Sequence, residues 1–410
     1  MKVLVVALIP LPLDGRVQNG IQRRIGVFLR ALGRLSHDIT LLHILPADQI
    51  AAAGTLDALS RSQSAFWRVP LRIALVPRRI RHETAWAHYG AGIFDAAAQW
   101  GFSAFGGSEV VQGIAAQLDS APDLVLPISL SALLPILETG RKLPRLVFDM
   151  CDIEHRVAFR RAISAPLYPG KPVGLLHIPA VMRLERRAVK AARLTFVCST
   201  LDRSYLRRLG YGGSVHVVPN ALPVPDAPPG VVSDPTVLLL GDMRYEPNAR
   251  AAERMACRVW PLIRATTQAA RLLIAGFGSD GLPSARAGLD GVEFLGFVDD
   301  LDALYARARV VCCPIMTGGG TRLKLVEAAS YARPMVSTRV GAEGLDFIDG
   351  QHILIRDDDA GFAATCTELL RDDALCRRLG AAAREVMMAQ YDATVIETRL
   401  AGMIAGLRPG

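Results

Sequence analysis

A chain of 410 residues exceeds what one hydrophobic core usually supports, so two domains of about 200 residues each are expected. With 51% hydrophobic and 21% charged residues and a mean hydropathy of +0.27, it reads as globular, which excludes the disordered and low-complexity classes. The net charge of +8 is uneven: residues 1–220 hold 27 Lys and Arg against 15 Asp and Glu, and the remainder 20 against 24.

The chain opens with MKVLVVALIPLPL, in which Lys2–Ile9 reads as a buried strand. Pro10 and Pro12, then Asp14-Gly15, read as the loop after it, and no small-residue cleavage site follows. No run of 18 apolar residues free of charge and proline occurs, so a transmembrane helix is not expected and a cytoplasmic placement is. A helix over Gln22–Leu35, the runs HDITLLHI, DLVLPIS and RLVFDM, and helical periodicity between them give the alternation of a parallel sheet.

The second half repeats the theme with TVLLLG, a helix near Ala249–Ile263, RLLIAG, VEFLGFV, VVCCPI, a further helix and PMVST. Between the halves, NALPVPDAPPGVVSDP is proline-rich and without periodicity, the mark of a linker. The expected plan is therefore a first α/β domain over 1–220, a linker over 221–235, a second α/β domain over 236–385, and a helical end over 386–410 placed to pack back on the first. Two doubly wound Rossmann-like sheets in one chain imply a central cleft, with ligands at the carboxyl ends of the strands. Seven cysteines, with Cys312-Cys313 inside an apolar run and no zinc spacing, read as buried free thiols, and no metal site is expected.

Arg78, Arg79 and Arg81, and Arg183, Arg186 and Arg187, form basic clusters suited to phosphates or anionic lipid, with an ordinary solvated surface as the plainer reading. Nucleic acid is not expected, because no aromatic platforms are interleaved with these cations and no recognition motif occurs.

The strongest chemical signal is GGGTRLKLVEAASYARPMVST, Gly318–Thr338. Its glycines follow the strand VVCCPI and precede a helix, so free N–H groups and the positive end of the helix dipole make an anion site. Bare backbone at Gly319 and Gly320 admits a diphosphate, Thr321 adds a hydroxyl, and Arg322 and Lys324 stand within a turn. Glu327, three residues beyond Lys324 on the same side, fits the two hydroxyls of a ribose. A glycine loop before an ordinary helix with a surface Lys and Glu is the alternative. GFGSDG, Gly276–Gly281, also matches GxGxxG, but it follows a later strand of its domain and precedes only a short helical pattern. It reads as a strand-to-loop turn beside a nucleotide base, in preference to a nicotinamide or flavin fingerprint.

GGGTRLKLVEAASYARPMVSTRVGAEGL, with GDMRYEPNARAAERM and VHVVPNAL, resembles the retaining GT-B glycosyltransferases of family four (glycosyl transferases group 1), and is closer to the bacterial sugar transferases of exopolysaccharide loci. These share a G-x-M-x-Y-x-P-N segment and a G-x-G-T-R-L-K-x-x-E-A segment. The resemblance covers most of residues 236–391 and the first half more loosely. It implies that Glu327 binds the donor ribose and that Gly318, Gly319, Gly320 and Thr321 line the diphosphate. The wider group has another glutamate eight residues before the second, and here that place is Gly319. The arginine and lysine that many relatives carry after the first strand of the donor domain are absent, and GDMRYEPN offers Asp242, Arg244 and Asn248. Arg244 or Lys324, with Arg322, is then expected to neutralise the leaving diphosphate. Glu343, in TRVGAEGL, is a candidate for the sugar or ribose.

In the first domain, DGRVQNGI occupies the place of a glycine-bearing loop over the donor phosphates, with Gly15, Asn19 and Gly20 as candidates. In FDMCDIEHR, Asp152 and His155 stand where many relatives face the sugar with a histidine or His-Asp pair; a capping aspartate and a surface histidine are the alternative. His37 and His216 read as structural.

The resemblance implies metal-independent transfer of a sugar, with retention, from a nucleotide diphosphate sugar to a hydroxyl acceptor such as a glycan, a lipid-linked sugar or a small molecule. The donor is a substrate and no further cofactor is expected. The basic first half adds a peripheral contact with an anionic membrane at its inner face. A nucleotide-sugar epimerase and a non-catalytic sugar-nucleotide binding or scaffold protein are the alternatives. An epimerase needs no acceptor, and a scaffold binds without turnover.

Overall fold

The computed structural model describes residues 1–8, 20–52, 54–78, 90–99, 102, 107–163 and 173–407. The chain forms two compact units, one of Met1–Pro219 with Ile396–Gly410 and one of Asn220–Val395.

The first unit is built on β1 (Lys2–Ala7), β2 (Asp38–Pro46), β3 (Arg72–Arg78), β4 (Leu124–Pro127), β5 (Arg145–Asp149), β6 (Leu194–Val197) and β7 (Val215–Val217). They lie in the order β3-β2-β1-β4-β5-β6-β7, and every pairing is parallel. Strands such as KVLVVA and LVLP are near-continuous apolar runs because helices cover both faces of a parallel sheet. Leu4, Val6, Ile44, Val125 and Phe148 are buried in its core.

The second unit holds β8 (Thr236–Leu240), β9 (Arg271–Ala275), β10 (Val292–Gly296), β11 (Val310–Cys313), β12 (Met335–Ser337) and β13 (Leu354–Ile355), in the parallel order β10-β9-β8-β11-β12-β13. Alternate residues feed opposite faces: Val237, Leu272, Ile274, Val310 and Cys312 join one core cluster, and Leu238, Leu273, Val311 and Cys313 the other. The strand order reverses between β1 and β4 in the first unit and between β8 and β11 in the second, and such reversals open the crevice where doubly wound sheets bind ligands.

Three local departures have physical causes. The helix expected over Ala249–Ile263 runs Glu246–Arg254, widens into a π-helical turn at Met255–Val259 and resumes as Trp260–Thr266. Pro261 has no N–H to give the carbonyl four residues back, which disfavours a regular ladder there. After GFGSDG the expected helix is only a 3-10 turn, Pro283–Ala287, closed by Gly288 at φ +59°. The two-residue β13 is too short to announce itself in a hydropathy pattern.

The proline-rich stretch after Asn220 is held against the second unit. Arg384 Nη2 donates to the Pro225 carbonyl at 2.8 Å, Arg333 Nη1 to Gly230 at 2.8 Å and Arg309 Nη1 to Val232 at 2.9 Å. The last helix, Ala393–Ala405, is tied into the first unit by Arg30 Nε to Glu397 Oε1 at 2.5 Å and Arg145 Nη1 to the Leu407 carbonyl at 3.2 Å. Among the described residues, no helix is long and apolar enough to cross a membrane. All seven cysteines are free, and Cys312 and Cys313 are buried.

Candidate active site

Two loops of the second unit leave neighbouring strands at the reversal point. Gly241–Tyr245 connects β8 to the helix Glu246–Arg254, and Pro314–Arg322 connects β11 to the helix Leu323–Ser330. The second loop turns through Gly318 at φ +116° and Gly320 at φ +71°, conformations that L side chains rarely adopt. Arg322 Nη1 donates to the carbonyls of Gly319 and, at 2.7 Å, Gly320. No side chain caps the helix that begins at Leu323, so the N–H groups of its first turn keep their attraction for an anion.

Arg322 itself is an unusual group. The residue is only 7% exposed, yet its Nε and Nη2 have no hydrogen-bond partner. Nη2 lies 3.3 Å from where a Cβ on Gly318 would sit, and the Tyr245 hydroxyl 2.9 Å from the same point. A buried guanidinium with two unmet donors beside a bare glycine loop is suited to an anion bearing several acceptors.

Lys324 is half-buried and joins the two loops. Its Nζ donates to Asn248 Oδ1 at 2.9 Å, and Asn248 Nδ2 donates to the Asp242 carbonyl at 2.9 Å. Gly241 makes room for this: a Cβ there would stand 2.7 Å from Nζ and 3.0 Å from Asn248 Cγ. Burial lowers the Lys324 pKa below the ordinary lysine value; neighbouring Arg322 acts in the same sense, and Cys313 and Glu327 oppose it. Glu327, one turn further on, is 8% exposed and its Oε2 accepts from Tyr305 Oη at 3.3 Å. Tyr305 stacks on Tyr331 with ring centroids 4.3 Å apart. Thr321 Oγ1 accepts from Asn220 Nδ2 at 2.8 Å, which fixes the hydroxyl expected at the diphosphate.

Arg244 is placed differently from Lys324. Its Nε and Nη2 grip the Asp242 carboxylate at 2.9 and 2.6 Å, and its guanidinium lies 4.5 Å from the Phe277 ring centroid. Burial pushes the Asp242 carboxyl up, but the hydrogen bonds from Arg244 outweigh it and hold the pKa below the usual range. Phe277 in turn stacks on Phe297 at 4.2 Å. GFGSDG therefore supplies an aromatic ring and a close approach: a Cβ on Gly276 would fall 1.9 Å from the Gly241 carbonyl oxygen. Glu343 lies partly buried in the turns after β12.

In the first unit, Gly15 and Asn19 lie outside the described residues, and Gly20 opens the helix Gly20–Gly33. Asp152 sits, partly buried, in the turn between β5 and the helix Glu154–Ile163. His155 corrects the sequence-based expectation of a sugar-facing or surface side chain. It is 3% exposed, its Nδ1 pairs with Glu185 Oε2 at 2.5 Å and its Nε2 with Tyr205 Oη at 2.9 Å. Tyr211 Oη also donates to Glu185 Oε2, at 2.9 Å, and burial with that carboxylate raises the phenol's pKa. Both ring nitrogens are thus engaged inside the unit.

The sequence reading singled out neither Gly241, Tyr245 and Tyr305 nor the pair Arg24–Asp149. Arg24 Nε and Nη2 donate to Asp149 Oδ2 and Oδ1 at 2.7 and 2.5 Å, with both side chains buried. Gly241 and Tyr245 belong to the quoted GDMRYEPN segment and carried that signal; Tyr305 and Arg24 stand in ordinary amphipathic helices and carried none. Among the described residues, no three His, Cys, Asp or Glu stand together as a metal-holding group.

Residues 234–372 match the family described as Glycosyl transferases group 1. No curated protein matches the chain. Among solved structures, the chain is similar to a sucrose-phosphate synthase from Thermosynechococcus elongatus, at 14% identity and a TM-score of 0.69 over 98% of each chain. It is similar to the Anabaena protein HepE in complex with UDP and glucose, at 13% identity and 0.63, over 99% of this chain and 100% of that one. It is also similar to a glycosyltransferase from Rickettsia africae, at 11% identity and 0.60, over 99% and 100%. The fold is accordingly that of two parallel-sheet Rossmann-like domains matching GT-B glycosyltransferase structures.

Proposed function

We propose that the protein is a glycosyltransferase that moves a sugar, with retention at the anomeric carbon, from a nucleotide diphosphate sugar to a hydroxyl acceptor. The observation that carries the proposal is the paired cation arrangement at the Gly318–Gly320 loop: buried Arg322 with two unmet donors, and Lys324 in the first turn of an uncapped helix. In the transfer, the bond from the anomeric carbon to the diphosphate oxygen breaks and its electron pair leaves with the diphosphate. The acceptor oxygen forms the new bond to that carbon and gives up its proton to the departing diphosphate. Negative charge therefore grows on the diphosphate, where Arg322, Lys324 and the helix start are positioned to stabilise it.

Glu327 is assigned to the donor ribose, and Asn248 to holding Lys324 in place. Arg244 is assigned to the nucleotide side of the site through its stack on Phe277. Glu343, Asp152 and Gly20 remain candidates for sugar or phosphate contact by their place after strands. The resemblance of the second half supports the family assignment, and the HepE complexes with UDP and with UDP-glucose favour a uridine nucleotide as the first donor to try. Bacterial polysaccharide assembly is the setting that the resemblance favours.

A thermal-shift panel of UDP, GDP, ADP and TDP and their sugar conjugates tests the site, because a ligand that binds only folded protein raises the melting temperature. Stabilisation by one nucleoside diphosphate that disappears in Lys324→Ala supports the donor site; no shift with any of them overturns it. A second reading is favoured by Gly319, which stands where the wider group has its other glutamate. On that reading the protein binds sugar nucleotide as a scaffold, and binding without turnover toward any acceptor would distinguish it.

A further inference from the structure

We infer that the exposed apolar end of a helix pair in the first unit docks on an anionic lipid bilayer. The pair is Glu154–Ile163 and Val173–Ala191, which pack together and are bonded through His155 and buried Glu185. Phe159 and Ile163, four residues apart and so on one helical face, are 48% and 56% exposed. Leu175 and Leu176, in the first turn of the second helix, are 37% and 55% exposed. All four lie within five residues of the segment joining the helices, hence at one end of the pair. Phe94, 80% exposed, is tied to the same helix by Arg183 Nη2, which donates to its carbonyl at 3.0 Å.

Large apolar side chains left in water on adjacent helices mark an interaction surface, and the surrounding charge identifies the partner. The two helices carry seven Lys and Arg against two Glu, and one of the two, Glu185, is wholly buried with its carboxylate bonded to His155 and Tyr211. Arg160 stands on the same helix as Phe159 and Ile163, while Arg156, a turn earlier, is paired with Asp202 at 3.2 Å. Aromatic and aliphatic groups beside arginines, with little exposed acid, match the interface of an anionic membrane. The placement also suits a bilayer. The 19-residue helix ends at Ala191, just before β6 begins at Leu194, so it runs back along the sheet and its first turns lie toward the carboxyl edge. Docking there brings the edge where doubly wound sheets bind ligands close to the lipid headgroups. The inference rests on this surface alone and does not depend on the donor site of the second unit.

The test is flotation of the full chain with vesicles of phosphatidylcholine, alone or with phosphatidylglycerol. The expected result is binding to the anionic vesicles that weakens with salt, and a loss of at least about tenfold in Phe159→Glu with Leu176→Glu, since charge placed on an inserting face opposes burial. A nucleoside diphosphate thermal shift retained by that variant shows that the fold and the donor site survive, so failure of one proposal is separable from failure of the other. Should the double variant not fold, Ile163→Gln and Arg160→Glu carry the test singly. Equal binding to neutral and anionic vesicles, or unchanged binding in the variants, overturns the inference. A wild-type dimer that becomes monomeric in the double variant without lipid also overturns it, because the face then covers a second copy.

Discussion

Lys324 and Asn248 belong to different helices, yet the lysine ammonium donates to the asparagine side-chain oxygen at 2.9 Å, over the bare Cα of Gly241. That bond fixes where a positive charge stands between β8 and β11, and most of what can be tested about the site turns on it.

Lys324→Ala should weaken binding of nucleoside diphosphates by about 1.5–3 kcal/mol, the range of a hydrogen bond to a charged group, and leave nucleoside binding nearly unchanged. Glu327→Ala should weaken both ligands, because the ribose is common to them. Calorimetric titration of both variants with a diphosphate and its nucleoside checks this. Equal losses for the two ligands in Lys324→Ala would sink the phosphate assignment.

Gly241→Ala is expected to reproduce much of the Lys324→Ala loss without removing any charge. The new Cβ would stand 2.7 Å from Nζ and 3.0 Å from Asn248 Cγ, so the ammonium, at the end of a flexible chain, must move and the asparagine must give slightly. Diphosphate affinity should drop while the melting temperature changes little. A wild-type affinity in this variant would show that the position of Nζ in the free protein is immaterial.

Burial lowers the Lys324 pKa, so the folded protein loses this proton at a pH where an unfolded lysine, near 10.4, still holds it. Diphosphate affinity should therefore fall as pH rises through the folded value. Stability has the opposite sign: between the folded and unfolded values the unfolded chain binds more protons, and stability rises with pH. Dissociation constants measured across the alkaline range, for wild type and Lys324→Arg, check the first point, since the arginine stays charged and should flatten the profile.

In the first unit, Asp149→Ala strands the buried Arg24 guanidinium and should cost about 3–5 kcal/mol, the usual penalty for breaking a buried pair from one side. Arg24 Nη1 also holds the Val218 carbonyl, at 2.8 Å, so the pair links the first helix, the end of β5 and the residue after β7. Denaturant unfolding followed by the fluorescence of Trp67, which lies buried in this unit, reads the loss. A change under about 1 kcal/mol would mean that the Arg24 guanidinium is compensated by other groups or by water once the carboxylate is gone.

Much of the architecture was legible because parallel strands covered on both faces are near-continuous apolar runs, as in TVLLL and VVCC, and glycines before an amphipathic helix declare a turn with open backbone. Side-chain partners were less so. His155 stands where the family resemblance implies a sugar-facing histidine, and only the packing of Glu185, Tyr205 and Tyr211 from later in the chain encloses it. Asp242 and Arg244 both stand in GDMRYEPN, but only the fold reveals that the carboxylate takes the guanidinium's fork. Arg322 carried the reverse ambiguity: a sequence gives its charge, and only the fold reveals that two of its donors are buried and unmet.

The first unit is not continuous in sequence, since Ile396–Gly410 completes it after the chain has built the whole of the second. Arg30 on the first helix and Arg34 in the turn just after it both reach Glu397, and Arg145 reaches the carbonyl of Leu407. A protease cut in the proline-rich stretch after Asn220 would therefore yield two fragments that still share one folded body, the later fragment carrying the missing piece of the earlier. For the same reason the first 219 residues made alone would lack a wall of their own core, and a synthetic peptide of the last helix should be able to supply it in trans.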